Sequence, residues 1–166
     1  MYMKIEIILG DITKLDSDVE AIVNAANESL LGGGGVDGAI HFAAGPELLE
    51  ECKILGGCQP GEAKVTKAYN LKQKYIIHTV GPRYYYNSNP AKTLRTCYEN
   101  CLKIADELKV KKIAFPSIST GVFGYPVNEA AEIAIDVFKH YKPKNIECVI
   151  MCAFDQGTYN AYKKHI

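Results

Sequence analysis

The chain has 166 residues, 48% of them hydrophobic, with nineteen basic and nineteen acidic side chains. That length suits one domain with a buried core, and the hydrophobic share is that of an ordinary globular protein. Cancelling charges leave no overall field to gather a phosphate polymer, which argues against a dedicated nucleic-acid binder. An anion held here is held by local geometry.

Lys4 to Leu9 reads as a strand, and Lys4 and Glu6 break the apolar run that a signal peptide would need. No segment has the apolar length of a membrane span, so a cytoplasmic location is the expectation. Ala21 to Asn24 is the next predicted strand, ending in the pair Asn24 and Asn27. Helical spacing follows over Val36 to Ala44 and Glu47 to Leu55, with Pro46 between them. Ala63 to Ala68, Tyr75 to Thr79, Lys112 to Phe115 and Glu147 to Ala153 read as strands. Ala91 to Leu108 and Asn128 to Tyr141 have apolar residues at helical intervals, and Tyr159 to Ile166 closes the chain as a short helix. The apolar strand cores predict strands covered on both faces, and their alternation with helices predicts a layered α/β domain.

Six cysteines include no Cys-x-x-Cys pair, so they read as small buried hydrophobes rather than metal ligands. Cys52 and Cys58 with His41 and His78 form the one combination worth testing against a metal.

Gly32 to Gly35 stand just before a predicted helix. Glycines there turn backbone N–H groups toward one anion, and the helix N-terminus adds partial positive charge. Gly33, Gly35 and Gly38 also satisfy Gly-x-Gly-x-x-Gly, but too far beyond the strand for a Rossmann unit, and no Walker A motif occurs. A second loop, Phe115 to Pro126, follows a strand and leads into a helix, again supplying glycines and hydroxyls. Two such loops suit a diphosphate clasped from both sides.

With these segments in view, the chain resembles a macrodomain of the MacroD type over nearly its whole length. The ordered motifs are Gly10-Asp-Ile-Thr13, Ile22-Val-Asn-Ala-Ala-Asn27, the four-glycine loop, Pro60-Gly-Glu-Ala63, His78-Thr-Val-Gly-Pro82 and the second loop. The resemblance implies a three-layer α/β/α fold around a central mixed, mostly parallel sheet. It implies ADP-ribose or O-acetyl-ADP-ribose as ligand, mono-ADP-ribosylated proteins as partners, and no cofactor or metal. A monomer with no membrane or nucleic-acid partner is the expected state.

The resemblance also implies roles. Asp11 accepts a hydrogen bond from the adenine amino group, with a turn or cap role as its bland alternative. Phe154 stacks on adenine, a core Phe being the alternative. Ile12, Asn24, Gly33, Gly34, Gly35 and Val36 join the binding set. Ser119, Thr120, Gly121, Val122, Phe123 and Gly124 serve the diphosphate, mainly through backbone N–H groups, with Phe123 against the distal ribose. Asn27 and Asp37 lie beside that ribose, and His41, four residues after Asp37, tunes or positions it. Their bland alternatives are loop capping for the asparagines, helix capping for Asp37 and packing for His41. Tyr84-Tyr-Tyr86 reads as structural packing in a surface loop. Where relatives often carry a basic residue after the helix histidine, this chain has Phe42.

The implied activity is hydrolysis of ester-linked ADP-ribose, on acidic protein side chains or on O-acetyl-ADP-ribose, by a positioned water. A module that binds ADP-ribose without cleaving it is the rival reading, and Asp37 beside His41 favours the enzyme.

Overall fold

The computed structural model describes residues 2–166. Six strands form one sheet: β1 (Lys4–Leu9), β2 (Ala21–Ala26), β3 (Ala63–Lys67), β4 (Tyr75–Val80), β5 (Lys112–Phe115) and β6 (Cys148–Ala153). Five helices accompany them: α1 (Gly35–Ala44), α2 (Pro46–Leu55), α3 (Pro90–Glu107), α4 (Val127–His140) and α5 (Gln156–Lys163). The sheet order is β1-β6-β5-β2-β4-β3, parallel throughout except for β3, which pairs antiparallel to β4 at one edge.

Alternation along the strands builds two cores. Ala21, Val23, Ile113, Phe115, Val149 and Met151 point to the face covered by α3, α4 and α5. Ile22, Ala114, Ile150 and Cys152 point to the other, under α1 and α2. Both faces are therefore dry, as near-continuous apolar strands require, and the layered α/β/α expectation holds. Side chains at i, i+2 and i+4 share a face, so Asn24 and His78 fall beneath α1 and α2 with Ile22 and Ile76.

The predicted elements hold, with shifted ends. Pro46 opens α2 at its first turn rather than standing outside it, because that position needs no N–H. The last helix runs Gln156–Lys163, starting earlier than expected because Asp155 caps it, its carboxylate accepting from the Thr158 N–H at 2.8 Å. The consequential difference is β2. It continues to Ala26, so Asn24 lies inside the strand, opposite His78 in register, instead of at its exit.

The pairing of β2 with β5 is short. Only Ala21 with Ile113 and Ile22 with Ala114 pair, although both strands run further. Pro116, directly after β5, has no N–H to extend the ladder. Beyond that point the sheet opens at the carboxyl ends of its parallel strands, where open α/β sheets bind ligands.

Candidate active site

A cleft of about 850 Å³ occupies this opening. Its walls come from the segments that leave β1, β2, β4, β5 and β6 on the same side of the sheet. Asp11 and Ile12 stand after β1, and Phe154 with Asp155 and Thr158 after β6, at one end. Asn27, Asp37, Gly81, Arg83 and Phe123 enclose the other. Gly33 to Val36 and Ser119 to Val122 lie between.

The two loops meet the cleft as donors. α1 begins at Gly35 with no side-chain cap, so its first N–H groups stay free beside the positive end of the helix. Gly38 lets the loop fold back: a Cβ there would stand 2.5 Å from the Gly33 carbonyl oxygen. In the second loop the hydroxyls are already engaged. Ser119 Oγ donates to the Pro82 carbonyl at 2.8 Å, and Thr120 Oγ1 donates to Ser117 Oγ at 2.8 Å. No protein acceptor among the described residues meets the amide N–H of residues 119–123. The amide N–H groups, not the Ser119 and Thr120 hydroxyls, are thus the donors this loop leaves free.

Phe154 is 83% exposed on the cleft wall, which settles it as a presented ring rather than a core residue. Asp11 has the expected cap role and also lines the cleft. Its Oδ1 accepts from the Thr13 amide at 2.9 Å and the Thr13 hydroxyl at 2.7 Å, capping a 3-10 turn over Ile12–Lys14. Those two bonds hold its carboxyl below the usual range, and the ionised second oxygen remains an acceptor at the cleft rim.

The opposite end holds a carboxylate in a buried frame. Asp37, in the first turn of α1, is 5% exposed. Asn24 Nδ2 donates to its Oδ1 at 2.8 Å and also lies 3.1 Å from His78 Nδ1, while His78 Nε2 lies 2.9 Å from Thr66 Oγ1. Thr66 donates its own hydroxyl to the Lys67 carbonyl, so it accepts from His78 Nε2–H. The chain of bonds therefore has one direction: a neutral His78 accepts from Asn24, which turns its amide nitrogen toward Asp37. Burial drives the His78 pKa down to about 3, consistent with that neutral ring. Burial also raises the Asp37 carboxyl, against the opposing effects of the Asn24 bond and the nearby His41.

Two expected contacts are corrected. Asn24 is wholly buried in β2 and reaches the cleft only through Asp37. Gly124 does not line the cleft; its φ of +76° closes the turn, with its N–H donating to the Gly121 carbonyl at 3.0 Å. His41 stands one helical turn on from Asp37 and beside it, and is not among the residues that line the cleft. Its Nε2 is buried without a hydrogen-bond partner, 3.5 Å from Asp37 Oδ1, which is proximity without an aligned bond. Sequence reasoning gave no role to Gly81, Arg83, Ser117, Asp155 and Thr158, all of which line the cleft. The capping pattern Asp155-x-x-Thr158 was a signal that could have placed the last two. Phe42 is 91% exposed and lies off the cleft.

Among the described residues no group of three His, Cys, Asp or Glu side chains has metal-site geometry. Cys52 Sγ does approach His78 Nε2, at 4.0 Å, but its thiol is pushed up to about 11 by burial, and Cys58 points to the Gln59 carbonyl. No helix among the described residues is long and apolar enough to cross a membrane.

The buried frame can be tested through Thr66. Thr66→Val removes the acceptor for His78 Nε2–H. Either that donor is left unpaired, or the ring shifts its proton and turns the Asn24 carbonyl toward the Asp37 carboxylate. Both cost stability, about 1–3 kcal/mol, read as a lowered urea midpoint that Thr66→Ser restores.

The sequence model of the Macro domain family matches residues 23–134. This chain belongs to the macrodomain family. The O-acetyl-ADP-ribose deacetylase 1 of Pantoea vagans is 49% identical over 168 residues, covering 97% of this macrodomain and 97% of that protein. The human ADP-ribose glycohydrolase MACROD2 is 49% identical over 166 residues, covering 97% of this chain but only 39% of that longer protein. The solved macrodomain of Oceanobacillus iheyensis with ADP superposes with a TM-score of 0.92 at 42% identity, covering 97% of this macrodomain and 88% of that chain.

Proposed function

We propose that this macrodomain binds ADP-ribose and hydrolyses esters formed on its distal ribose. Adenine lies between Phe154 and Asp11, the diphosphate between the two loops, and the distal ribose against Phe123, beside Asn27 and Asp37. The Oceanobacillus macrodomain, solved with ADP, supports an adenine nucleotide with a diphosphate as the class of ligand. The remaining length of the cleft, ending at Asn27, Asp37 and Phe123, suits one further sugar. The names of the human and Pantoea relatives support the reaction class.

One observation carries the hydrolytic reading. A Cβ built on Gly33 would stand 3.2 Å from Asn27 Nδ2 and 3.2 Å from Asp37 Oδ2. Both groups therefore converge in front of Gly33, and a water held between them, at van der Waals distance from that glycine, can accept from the amide and donate to the carboxylate. Asn27 holds its own place by donating one N–H to the Gly32 carbonyl at 2.9 Å and accepting from Ser29, which leaves its other N–H for the water. Asp37 Oδ1 is engaged by Asn24, which leaves Oδ2 to accept the water's proton. The water oxygen bonds to the ester carbonyl carbon, the ribose C–O–acyl bond breaks at the acyl carbon, and the proton passes to the ribose oxygen. The products are ADP-ribose and a carboxylic acid that ionises at neutral pH. A carboxylate is a weak base, so positioning supplies much of the acceleration.

The test is release of ADP-ribose from a glutamate-linked peptide and from O-acetyl-ADP-ribose. Wild type is expected to cleave both; ADP-ribose binding without cleavage of either would leave a reader module. Gly33→Ala pushes a methyl to 3.2 Å from both groups, into the space a water between them needs, without a forbidden backbone angle, since Gly33 does not have positive φ. Turnover of both esters should fall by roughly 100-fold while the thermal midpoint holds, and an unchanged rate would refute that position for the water.

A further inference from the structure

Beyond the Asn27 and Phe123 end of the cleft lies a second hollow of about 150 Å³. It shares Gly81, Arg83 and Phe123 with the cleft and adds Glu28, Pro60, Tyr86 and Asn87. Glu28 directly follows Asn27 in the chain, so the hollow continues from the end where a group attached to the distal ribose must leave.

The tyrosine run is divided between structure and solvent. Tyr84 packs its ring edge-on to Tyr125 at 4.8 Å, and its N–H donates to the Phe123 carbonyl at 2.9 Å. Tyr85 stacks edge-on to Tyr84 at 5.1 Å and closes over Gly124. These two fasten the turn to the second loop. Tyr86 takes no part in this stacking; it is 87% exposed on the wall of the hollow. Tyr86 and Asn87 are fixed in backbone, both amides donating to the Arg83 carbonyl at 3.1 and 2.9 Å. Asn87 Oδ1 accepts from the Asn89 amide and the Thr93 hydroxyl, so its amide nitrogen is the group left to donate. Arg83 lies with Cζ 4.8 Å over the Phe123 ring, which carries its charge across the boundary between hollow and cleft.

We propose that this hollow is the acceptor-side subsite, taking the esterified acidic side chain and the adjoining peptide carbonyls of a mono-ADP-ribosylated protein. It rests on the ester-hydrolase reading above and names the substrate class. The chemistry fits: Arg83, Asn87 and the Tyr86 hydroxyl put three donors on the lining of the hollow, suited to an acyl group and peptide carbonyls, which are acceptors only. Tyr86 offers a large, rigid aromatic surface at little entropic cost, the kind of residue that anchors peptides. An acetyl ester carries nothing beyond its methyl into this space, so it gains nothing from Tyr86 or Asn87.

The experiment compares wild type with Tyr86→Ala and Tyr86→Ala/Asn87→Asp, the second change keeping the Oδ1 acceptor while removing the donor. On a glutamate-linked ADP-ribosyl peptide, kcat/KM of the double variant should drop about tenfold. On O-acetyl-ADP-ribose it should stay within about twofold, as should the Kd for free ADP-ribose. Parallel losses on both esters, or no loss on either, overturn the subsite. Failure of wild type to cleave either ester sinks the hydrolase reading alone. A binding arm then still decides, using an amide-linked ADP-ribosyl peptide that cannot be cleaved as an ester. It should bind wild type about tenfold more tightly than ADP-ribose does, and the double variant should lose that advantage; equal affinities in wild type overturn the subsite.

Discussion

Asp37→Asn is expected to lower ester turnover by roughly 100- to 1,000-fold while leaving the Kd for ADP-ribose within a few-fold. The new amide keeps an oxygen where Asn24 Nδ2 donates, so the frame beneath α1 persists. What disappears is the proton acceptor. Stability should move the other way. Burial raises the Asp37 carboxyl above its ordinary value, so the folded state holds that proton more tightly than the unfolded chain does. The contribution is favourable at low pH and is lost as pH climbs from the unfolded value through the folded one. At neutral pH the ionised group thus weakens the fold, and an uncharged Asn should give an equal or higher thermal midpoint. The same shift fixes the acid limb of the rate profile. Activity should fall on acidification at a pH above that of an ordinary aspartate, and the limb should vanish in the residual rate of Asp37→Asn. A variant that loses both its midpoint and its ligand would mean that Asp37 is structural.

Gly81→Ala should be the most damaging single methyl in the molecule. A Cβ there would lie 2.1 Å from Ser119 Oγ and 2.6 Å from Ile118 Cγ2. Neither neighbour has room to yield: Ile118 is wholly buried, and Ser119 is buried and tied to the Pro82 carbonyl. Ser119 also sits at φ +68°, already an uncommon conformation for a residue with a side chain. The second loop must therefore shift as a unit, taking its row of amide donors out of line. Overpacking of this kind costs about 1–3 kcal/mol, and ADP-ribose affinity should fall at least about 100-fold, measured by calorimetry beside urea unfolding. Adding Ser119→Gly removes the nearer clash and the strained φ, so the double variant should recover part of both losses. Independent, additive effects would contradict the contact.

The strands and helices were readable because each buries a face whose period matches its geometry, as Val149 and Met151 against Ile150 and Cys152 illustrate. The glycine loop was readable because four glycines before a helix have few other uses. Asn24 was misplaced because Asn between apolar residues looks like a strand exit. Inside a strand it is tolerated only because His78, 54 residues later, lies opposite it in register to accept its N–H. Gly81 and Gly38 act through close approaches to Ser119 and to the Gly33 carbonyl. Such contacts exist only once the chain has folded, and no local pattern announces them. His41 shows both the use and the limit of spacing arguments: four residues along a helix brought it beside Asp37, but not into the lining of the cleft.

The two-pair contact between β2 and β5 has a further consequence. A sheet whose middle is left unlaced depends on what fills the gap: Ala25 and Ala26 on one side and Pro116 on the other face the cleft instead of a neighbouring strand. The occupant becomes, in effect, a piece of the sheet that the chain does not encode. Occupancy at a hundred times Kd adds about 2.7 kcal/mol, a sizeable part of a marginal total. The lifetime of the folded protein is thereby coupled to the supply of its own ligand.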